Sequence, residues 1–201
     1  MAEISARSEQ TRQQILTAAN QLVLEQGYHG TSMRQIAARA GIALGGIYNH
    51  FSGKEEIYEA IFFENHPFLE VLPSLLSAQG DTPEALVRDA ASRLLDILNR
   101  RHDFIKLMII EIVEFNNIHT IQLVDRLLPQ SQGLLSGMLR AYPDQLNPIP
   151  PAILVRSFVG LFISYYMTGI ILQGSSKIPP EFVDQAFDHF VDIYLHGILK
   201  G

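Results

Sequence analysis

TSMRQIAARAGIALGGIYNHF, residues 31–51, has the pattern of two short helices separated by a glycine. Ser32 stands three residues before a glutamine, the spacing of a capping box, and predicts that a helix begins just after it. Gly41 closes that helix, because glycine readily takes the left-handed conformation found at helix ends. A second helix is predicted over residues 44–51. Two short helices joined by a glycine turn are typical of a helix-turn-helix motif.

A longer amphipathic helix precedes this motif. Its apolar side chains recur at i, i+3, i+4, i+7 and i+8 within residues 15–23, which places them on one face. Ser8 is predicted to cap its start and Gly27 to end it. In the second short helix, Ile47 and Phe51 are four residues apart and would both face this first helix. The sequence therefore predicts a three-helix head.

Charge is distributed unevenly along the chain. Residues 1–54 carry five basic and three acidic side chains, whereas residues 55–201 carry ten basic and eighteen acidic ones. The net charge of −6 does not suggest nucleic-acid binding, but the mildly basic head is compatible with it. The chain has no cysteine, which excludes disulfides and thiolate sites and fits a reducing compartment. The N-terminus lacks the apolar stretch of a signal peptide, so a cytoplasmic location is predicted.

Beyond residue 52 the pattern is one of long helices broken by proline-bearing loops. Pro67 is predicted to interrupt one helix, and Thr82 and Pro83 to begin another. Further helices are predicted at about 103–115, 119–141, 151–173 and 180–199, and the first of these, apolar around most of its circumference, should be buried on most sides. The predicted fold is all-α, with an N-terminal helix-turn-helix DNA-binding domain at 1–53 and a larger helical effector-binding and dimerisation domain at 54–201.

Residues 11–58 resemble the DNA-binding part of the tetracycline-repressor (TetR) family of bacterial transcriptional regulators. The match combines the threonine–serine cap, the IA pair, the AG turn, a glycine three residues before a tyrosine, and a lysine soon afterwards. Ala43 replaces a usual capping serine or threonine, and Gly46 a larger polar residue. The resemblance implies a homodimeric repressor that binds double-stranded DNA and is released by a small-molecule effector, without enzymatic activity or a cofactor.

Two kinds of DNA contact are expected from the head, because phosphate contacts position a protein whereas base edges carry the sequence. Phosphate contacts are expected from Tyr48 and Lys54. His50 is a further candidate for a phosphate contact, and the alternative is that it is a plain surface residue. Gly45 and Gly46 would leave a side-chain-free surface for close approach to DNA; the alternative is that they ease packing between helices. Base contacts are expected from Leu44 to a thymine methyl, Asn49 to adenine, and Arg34 to guanine or phosphate.

Several aromatic and apolar side chains of the body are candidates for an effector site. Glu111 is predicted to contact the ligand, because a carboxylate enclosed among aromatics is costly unless it is paired. Glu114 is expected to be paired or to face solvent. Any one of these aromatics is more often plain core. The predicted ligand-binding residues are Phe104, Met108, Glu111, Phe115, Tyr165 and Tyr166.

Residues 153–172 have the length of a membrane span. The small residues Gly160, Ser164 and Thr168 recur every four positions and would let another helix approach closely. A homodimer through the last two helices is therefore favoured over a membrane location, and the resemblance implies the same arrangement.

No catalytic motif is visible in the sequence. His189, Asp192 and His196 share a helix face, but an exposed face explains them better than a metal site, and no metal is predicted. The alternative function is a helical small-molecule-binding enzyme or carrier without specific operator binding.

Overall fold

The computed structural model describes residues 2–101, 103–126, 142, 145–172, 177, 179 and 185–199. Over these residues the chain is helical, without a strand, which confirms the all-α prediction. The helices are α1 (Ala2–Gly30), α2 (Met33–Ala40), α3 (Leu44–Ile47), α4 (Lys54–Asn65), α5 (Phe68–Leu76), α6 (Pro83–Arg100), α7 (Asp103–Glu114), α8 (Ile118–Arg126), α9 (Pro151–Leu172) and α10 (Ala186–Ile198). The parts of the predicted helices at 127–141 and 180–184 lie outside the described residues.

The helices form two compact units. The first unit comprises residues 1–66 and 102–125, and the second comprises residues 67–101 and 126–201. By packing, α4, α7 and α8 therefore group with the three N-terminal helices. The proposed functional division at residue 53 stays a prediction.

One buried cluster holds the first unit together. It includes Ile15 and Leu22 of α1, Ile36 of α2, and the predicted pair Ile47 and Phe51. Burying an isoleucine side chain is worth about 1.5–3 kcal/mol. These contacts hold α3, which at four residues is too short to be stable by itself.

Helix ends in the first unit follow the local chemistry of the sequence. Ser32 Oγ accepts the Gln35 N–H at 3.3 Å, and Gln35 Oε1 accepts the Ser32 N–H at 2.8 Å, which confirms the capping box. Gly41 ends α2 with φ +70°, as predicted, and Gly27 breaks α1 with φ +77°.

Two predicted helix boundaries in the first unit are wrong. α1 begins at Ala2, so Ser8 lies inside the helix and is not its N-cap; the preceding residues favour helix enough to extend it. α3 ends at Ile47, not at Phe51, because residues 48–50 form a turn. Ala43 makes no side-chain cap, which fits the expected weak start of α3.

In the second unit, α5, α6, α9 and α10 pack together. Thr82 Oγ1 accepts the Ala85 N–H at 3.1 Å and caps α6, with Pro83 in its first turn, as predicted. Along the chain, α4 ends at Asn65 and α5 begins at Phe68, so Pro67 interrupts the helix.

The prediction that the helix at 103–115 is buried on most sides is wrong. Phe104 and Leu107 of α7 are buried, but Ile109 and Ile112 are each 50% exposed and Val113 is 68% exposed. In the described structure, neighbouring helices cover only one side of α7, and the apolar composition extends to the open side. The apolar composition of a helix therefore does not show how many of its sides are covered by other helices.

One described helix, α9, is long and apolar enough to cross a membrane, and 22% of its most apolar window is buried within the chain. Core helices of soluble proteins meet the same criterion. Length and hydropathy therefore do not assign α9 to a bilayer.

Candidate DNA-binding surface and ligand cavity

The exposed side of α3 has almost no side chains. A Cβ atom built on Gly45 or on Gly46 meets no atom within 4 Å. Packing within the described structure therefore does not require either glycine. Arg34 of α2 is exposed, and so is Asn49, two residues after the end of α3. Tyr48 is 54% exposed. The surface combines open backbone with polar side chains.

Three of the predicted DNA-contacting residues are less accessible. Leu44 is half-buried and packs against the core cluster of the first unit, which limits its reach toward a base. Gly46 and His50 are also half-buried. Their DNA contacts stay predictions.

Lys54 bonds within the chain, which the sequence did not indicate. Its Nζ donates to Tyr28 O and to Thr31 O, each at 2.8 Å, and lies 4.1 Å from the centre of the Tyr28 ring. Burial lowers the pKa of the Lys54 ammonium. The amine therefore ties the start of α4 to residues 28–32, the α1–α2 connection, and only its third N–H is left for a phosphate.

Further contacts fix the α1–α2 connection. Thr31 is buried, and its Oγ1 donates to Gly27 O at 2.9 Å. The Tyr28 ring meets the Phe115 ring edge-on at 4.7 Å. His29 Nε2 lies 2.6 Å from Glu114 Oε2, which confirms the expectation of a paired Glu114. These contacts fix where α2 begins.

Glu111 is fully buried, with 0% of its surface exposed, and its carboxylate is paired within the chain. Its Oε1 accepts the backbone N–H of His119 at 2.8 Å, and its Oε2 lies 2.9 Å from His119 Nδ1. Asn116 and Asn117, with φ of +50° and +65°, reverse the chain between the two residues. Its partners therefore come from α8, and the ligand contact predicted for Glu111 stays a prediction.

The other predicted ligand residues are divided between the two units. In the first unit, Phe115 stacks on Tyr58 at 4.2 Å, Phe104 is buried, and Met108 is half-buried. In the second unit, Tyr166 donates its hydroxyl to Leu98 O at 2.9 Å, and the Tyr165 ring lies 6.2 Å from Phe187 and 5.2 Å from Phe190. These side chains act as core in the described structure.

A different set of residues lines a cavity of about 110 Å³ in the second unit. Its walls come from α5, α6, α9 and α10, together with Tyr142 and Leu146. None of the six predicted ligand residues is among its described lining. The lining residues are Leu75, Pro83, Leu86, Val87, Ala90, Tyr142, Leu146, Leu154, Val155, Phe158, Tyr194 and Ile198.

Both hydroxyl groups of the described lining are already donated to backbone oxygens. Tyr142 donates to Gly80 O at 2.6 Å, and Tyr194 donates to Leu154 O at 2.8 Å. Burial raises the pKa of Tyr194 to about 12, so its proton is retained at neutral pH. The described wall therefore presents carbon atoms, without a free donor or a charge, and suits an apolar group.

A family model described as "Bacterial regulatory proteins, tetR family" matches residues 15–61. HTH-type transcriptional regulator SrpR of Pseudomonas putida is 38% identical over 73 residues, which are 35% of this chain and 34% of SrpR. The fatty acid metabolism regulator protein of Bacillus subtilis is 28% identical over 127 residues, 63% of this chain and 64% of that protein. The chain thus spans less than two thirds of these relatives.

Solved structures match over nearly the whole chain. A TetR family transcription regulator from Marinobacter aquaeolei has a TM-score of 0.68 at 18% identity, covering 98% of this chain and 100% of that one. SmeT in complex with triclosan has a TM-score of 0.62 at 25% identity, covering 94% and 92%. FadR from Bacillus subtilis with stearoyl-CoA has a TM-score of 0.65 at 20% identity, covering 92% and 98%. Residues 15–61 thus match the family model for bacterial regulatory proteins of the tetR family, and the fold of the chain is similar to that of solved TetR family regulators.

Proposed function

We propose that this chain is a DNA-binding transcriptional regulator, a cytoplasmic homodimeric repressor that a small, largely apolar molecule releases from its operator. The observation that carries the proposal is the side-chain-free surface of α3, where Gly45 is exposed and an added Cβ at Gly45 or at Gly46 meets no atom. In helix-turn-helix proteins the second helix of the motif lies in the major groove, where an open backbone permits close approach.

The comparisons support both parts of this proposal. A relative from Brucella suis, 36% identical over 87 residues, is named HTH-type transcriptional repressor BepR. Two structural neighbours hold the small molecules triclosan and stearoyl-CoA. A repressor that responds to a ligand therefore agrees with the named relatives.

The DNA-binding part is tested by Gly45→Ala and Gly46→Ala. Because a Cβ at either position meets no atom of the chain, each change should leave stability equal or raise it by up to about 1 kcal/mol. Affinity for a duplex from the gene's own upstream region should fall, since each methyl group separates the backbone from the DNA. Fluorescence anisotropy measures the affinity, and urea unfolding measures the stability.

Gly169→Ala is the matched control, because a Cβ at Gly169 of α9 also meets no atom. It should be as well tolerated and leave DNA affinity unchanged. Wild-type affinity in both α3 variants would show that these glycines serve another purpose. Failure of the native protein to bind any upstream duplex specifically would favour the alternative, a helical small-molecule-binding enzyme or carrier.

We also propose that α9 and α10 form the homodimer interface. Gly160, Ser164 and Thr168 form an exposed stripe on α9, and Ile193 of α10 is 61% exposed. Small residues let a helix of a second copy approach closely. Burial of the exposed apolar side chains by that second copy is favourable, because it removes apolar surface from water. We therefore place α9 in a protein interface and not in a membrane.

Gly160→Leu tests this interface. Its Cβ position meets no atom within the chain, so the fold of one copy should tolerate leucine. Close approach of a second copy should be blocked, and sedimentation should then detect monomer. A Gly160→Leu protein that stays fully dimeric would place the interface elsewhere.

A further inference from the structure

We propose that the side-chain-free surface of α3 selects DNA that places a methyl group of a base edge, that of thymine or of 5-methylcytosine, against Gly45 and Gly46. This inference rests on the proposed function as a DNA-binding regulator. It makes the two glycines specificity-determining residues, whereas the sequence predicted only a close approach to DNA at this surface.

Gly45 lies on the side of α3 that faces away from the protein core. Ile47 of the same helix is fully buried in the core cluster of the first unit. Successive residues of a helix are rotated by about 100°, so Gly45 lies almost opposite Ile47, and Gly46 lies to one side. Gly45 is exposed and Gly46 is half-buried. The outward side of α3 therefore consists largely of main-chain atoms.

The missing side chains leave room for the edge of a base. The Cα atoms of a helix lie about 2.3 Å from its axis, whereas side chains extend its radius to about 5–6 Å. A glycine surface can therefore lie roughly 3 Å deeper in the major groove, which is about 8.5 Å deep. No atom of the chain fills this space, because a Cβ built on either glycine meets nothing within 4 Å.

The chemistry of this surface favours contact with a methyl group. Neither glycine has a side-chain donor or acceptor. The Gly46 N–H already donates to Ala43 O at 2.8 Å, and Gly46 O accepts the Asn49 N–H at 3.4 Å. The apolar group that base edges present in the major groove is the C5-methyl of thymine. Contact with the glycine surface removes that methyl group from water, which is favourable.

Two neighbouring side chains define what the glycines add. Asn49 is exposed in the turn after α3, and an asparagine amide can pair with N6 and N7 of adenine. A methyl contact at the glycines beside such a pair would select adjacent A·T base pairs. Leu44 is the rival for the thymine methyl, but it is half-buried and packs against the core cluster.

The first test removes single methyl groups from the DNA. Each thymine of the upstream duplex is replaced in turn by uracil, which has the same hydrogen-bonding groups but no C5-methyl. Replacement at one or two positions in each half-site should lower the affinity of the native protein about fourfold, the fold-change that corresponds to one buried methyl-sized group. Specific binding in which no thymine matters would overturn this inference and leave the proposed function standing.

The second test moves a methyl group from the DNA to the protein. Gly45→Ala and Gly46→Ala each add one methyl group in the open space of α3. At a sensitive position the native protein should prefer thymine, whereas at least one alanine variant should bind the uracil duplex as tightly as the thymine duplex or more tightly. Gly169→Ala should keep the native preference. An unchanged preference for thymine in both α3 variants would overturn the inference and assign the methyl contact to another side chain, such as Leu44.

The third test separates the methyl group from the rest of the base. At a sensitive position, T·A is replaced by C·G with or without a C5-methyl group on the cytosine. The methylated duplex should bind the native protein about fourfold more tightly, and equal affinities would overturn recognition of the methyl group. Fluorescence anisotropy at one fixed salt concentration measures all affinities, because DNA affinity depends on salt. If the native protein binds no upstream duplex specifically, the proposed function fails, and this inference fails with it.

Discussion

Replacing Lys54 by methionine should separate a structural role from a phosphate contact. Methionine keeps most of the side-chain length but removes two charge-assisted hydrogen bonds of 2.8 Å to Tyr28 O and Thr31 O. Each such bond is worth about 1.5–3 kcal/mol, and the cation–π contact with Tyr28 adds about 0.5–1 kcal/mol. The ammonium is partly desolvated, as its lowered pKa indicates, and this offsets part of the gain. We expect Lys54→Met to lower the free energy of unfolding by about 2–4 kcal/mol.

DNA affinity should fall with it, because the α1–α2 connection loses the anchor that sets where α2 begins. If Lys54 acts through its bonds to Tyr28 O and Thr31 O and not through a phosphate, the slope of log K against log salt concentration should stay unchanged. Urea unfolding and anisotropy titrations at several salt concentrations measure the two quantities. Arg34→Gln, at an exposed position, is the control and should reduce DNA affinity without changing stability. A salt slope that flattens by about 1 at unchanged stability would refute the structural role of Lys54.

Two further predictions concern the half-buried His66 and the buried Glu111 of the first unit. Burial lowers the pKa of His66 to about 4, whereas an unfolded chain takes up this proton below about 6.5. Stability should therefore fall as the pH drops through this window, by about 2 kcal/mol between pH 7 and pH 5, and His66→Phe should remove that part of the loss in urea unfolding. An undiminished loss in His66→Phe would assign it to other groups. Glu111→Gln should lower the unfolding free energy by about 1–3 kcal/mol, because one partner of His119 is weakened. An unchanged free energy of unfolding in Glu111→Gln would show that the pair with His119 adds no stability.

Features set by neighbouring residues could be predicted from the sequence. The capping box at Ser32 and the glycine ends at Gly27 and Gly41 depend on residues within one helical turn. The packing of Ile47 and Phe51 could be predicted from their spacing of four residues and from the apolar face of the first helix. Such signals were sufficient for the helix-turn-helix fold.

Features made by distant residues could not be predicted in this way. The carbonyl partners of Lys54 lie 26 and 23 residues earlier in the chain, and no local pattern pairs them. Glu111 meets His119 only because the chain reverses at Asn116 and Asn117. That pair of asparagines was an available signal, since asparagine tolerates positive φ better than other non-glycine residues.

The apolar cavity of the second unit had the weakest signal in the sequence. Its lining comes from five separate segments between Leu75 and Ile198. Each segment has an ordinary apolar pattern that is equally typical of a filled core. Tyr165 and Tyr166 were predicted to bind the ligand because they are aromatic. A cavity, however, forms where the packing of side chains is incomplete.

Under the proposed function, the brevity of α3 bears on how fast the protein leaves DNA. Ala43 makes no side-chain cap, and the four-residue helix is held through Ile47 and Phe51. Its amide hydrogens should exchange with solvent through local openings that cost far less than global unfolding. To the extent that the free segment opens, ordering it on DNA costs about 1–2 kcal/mol of backbone entropy per residue fixed. A capping serine at Ala43 should reduce that cost and, under the proposed function, slow dissociation from DNA.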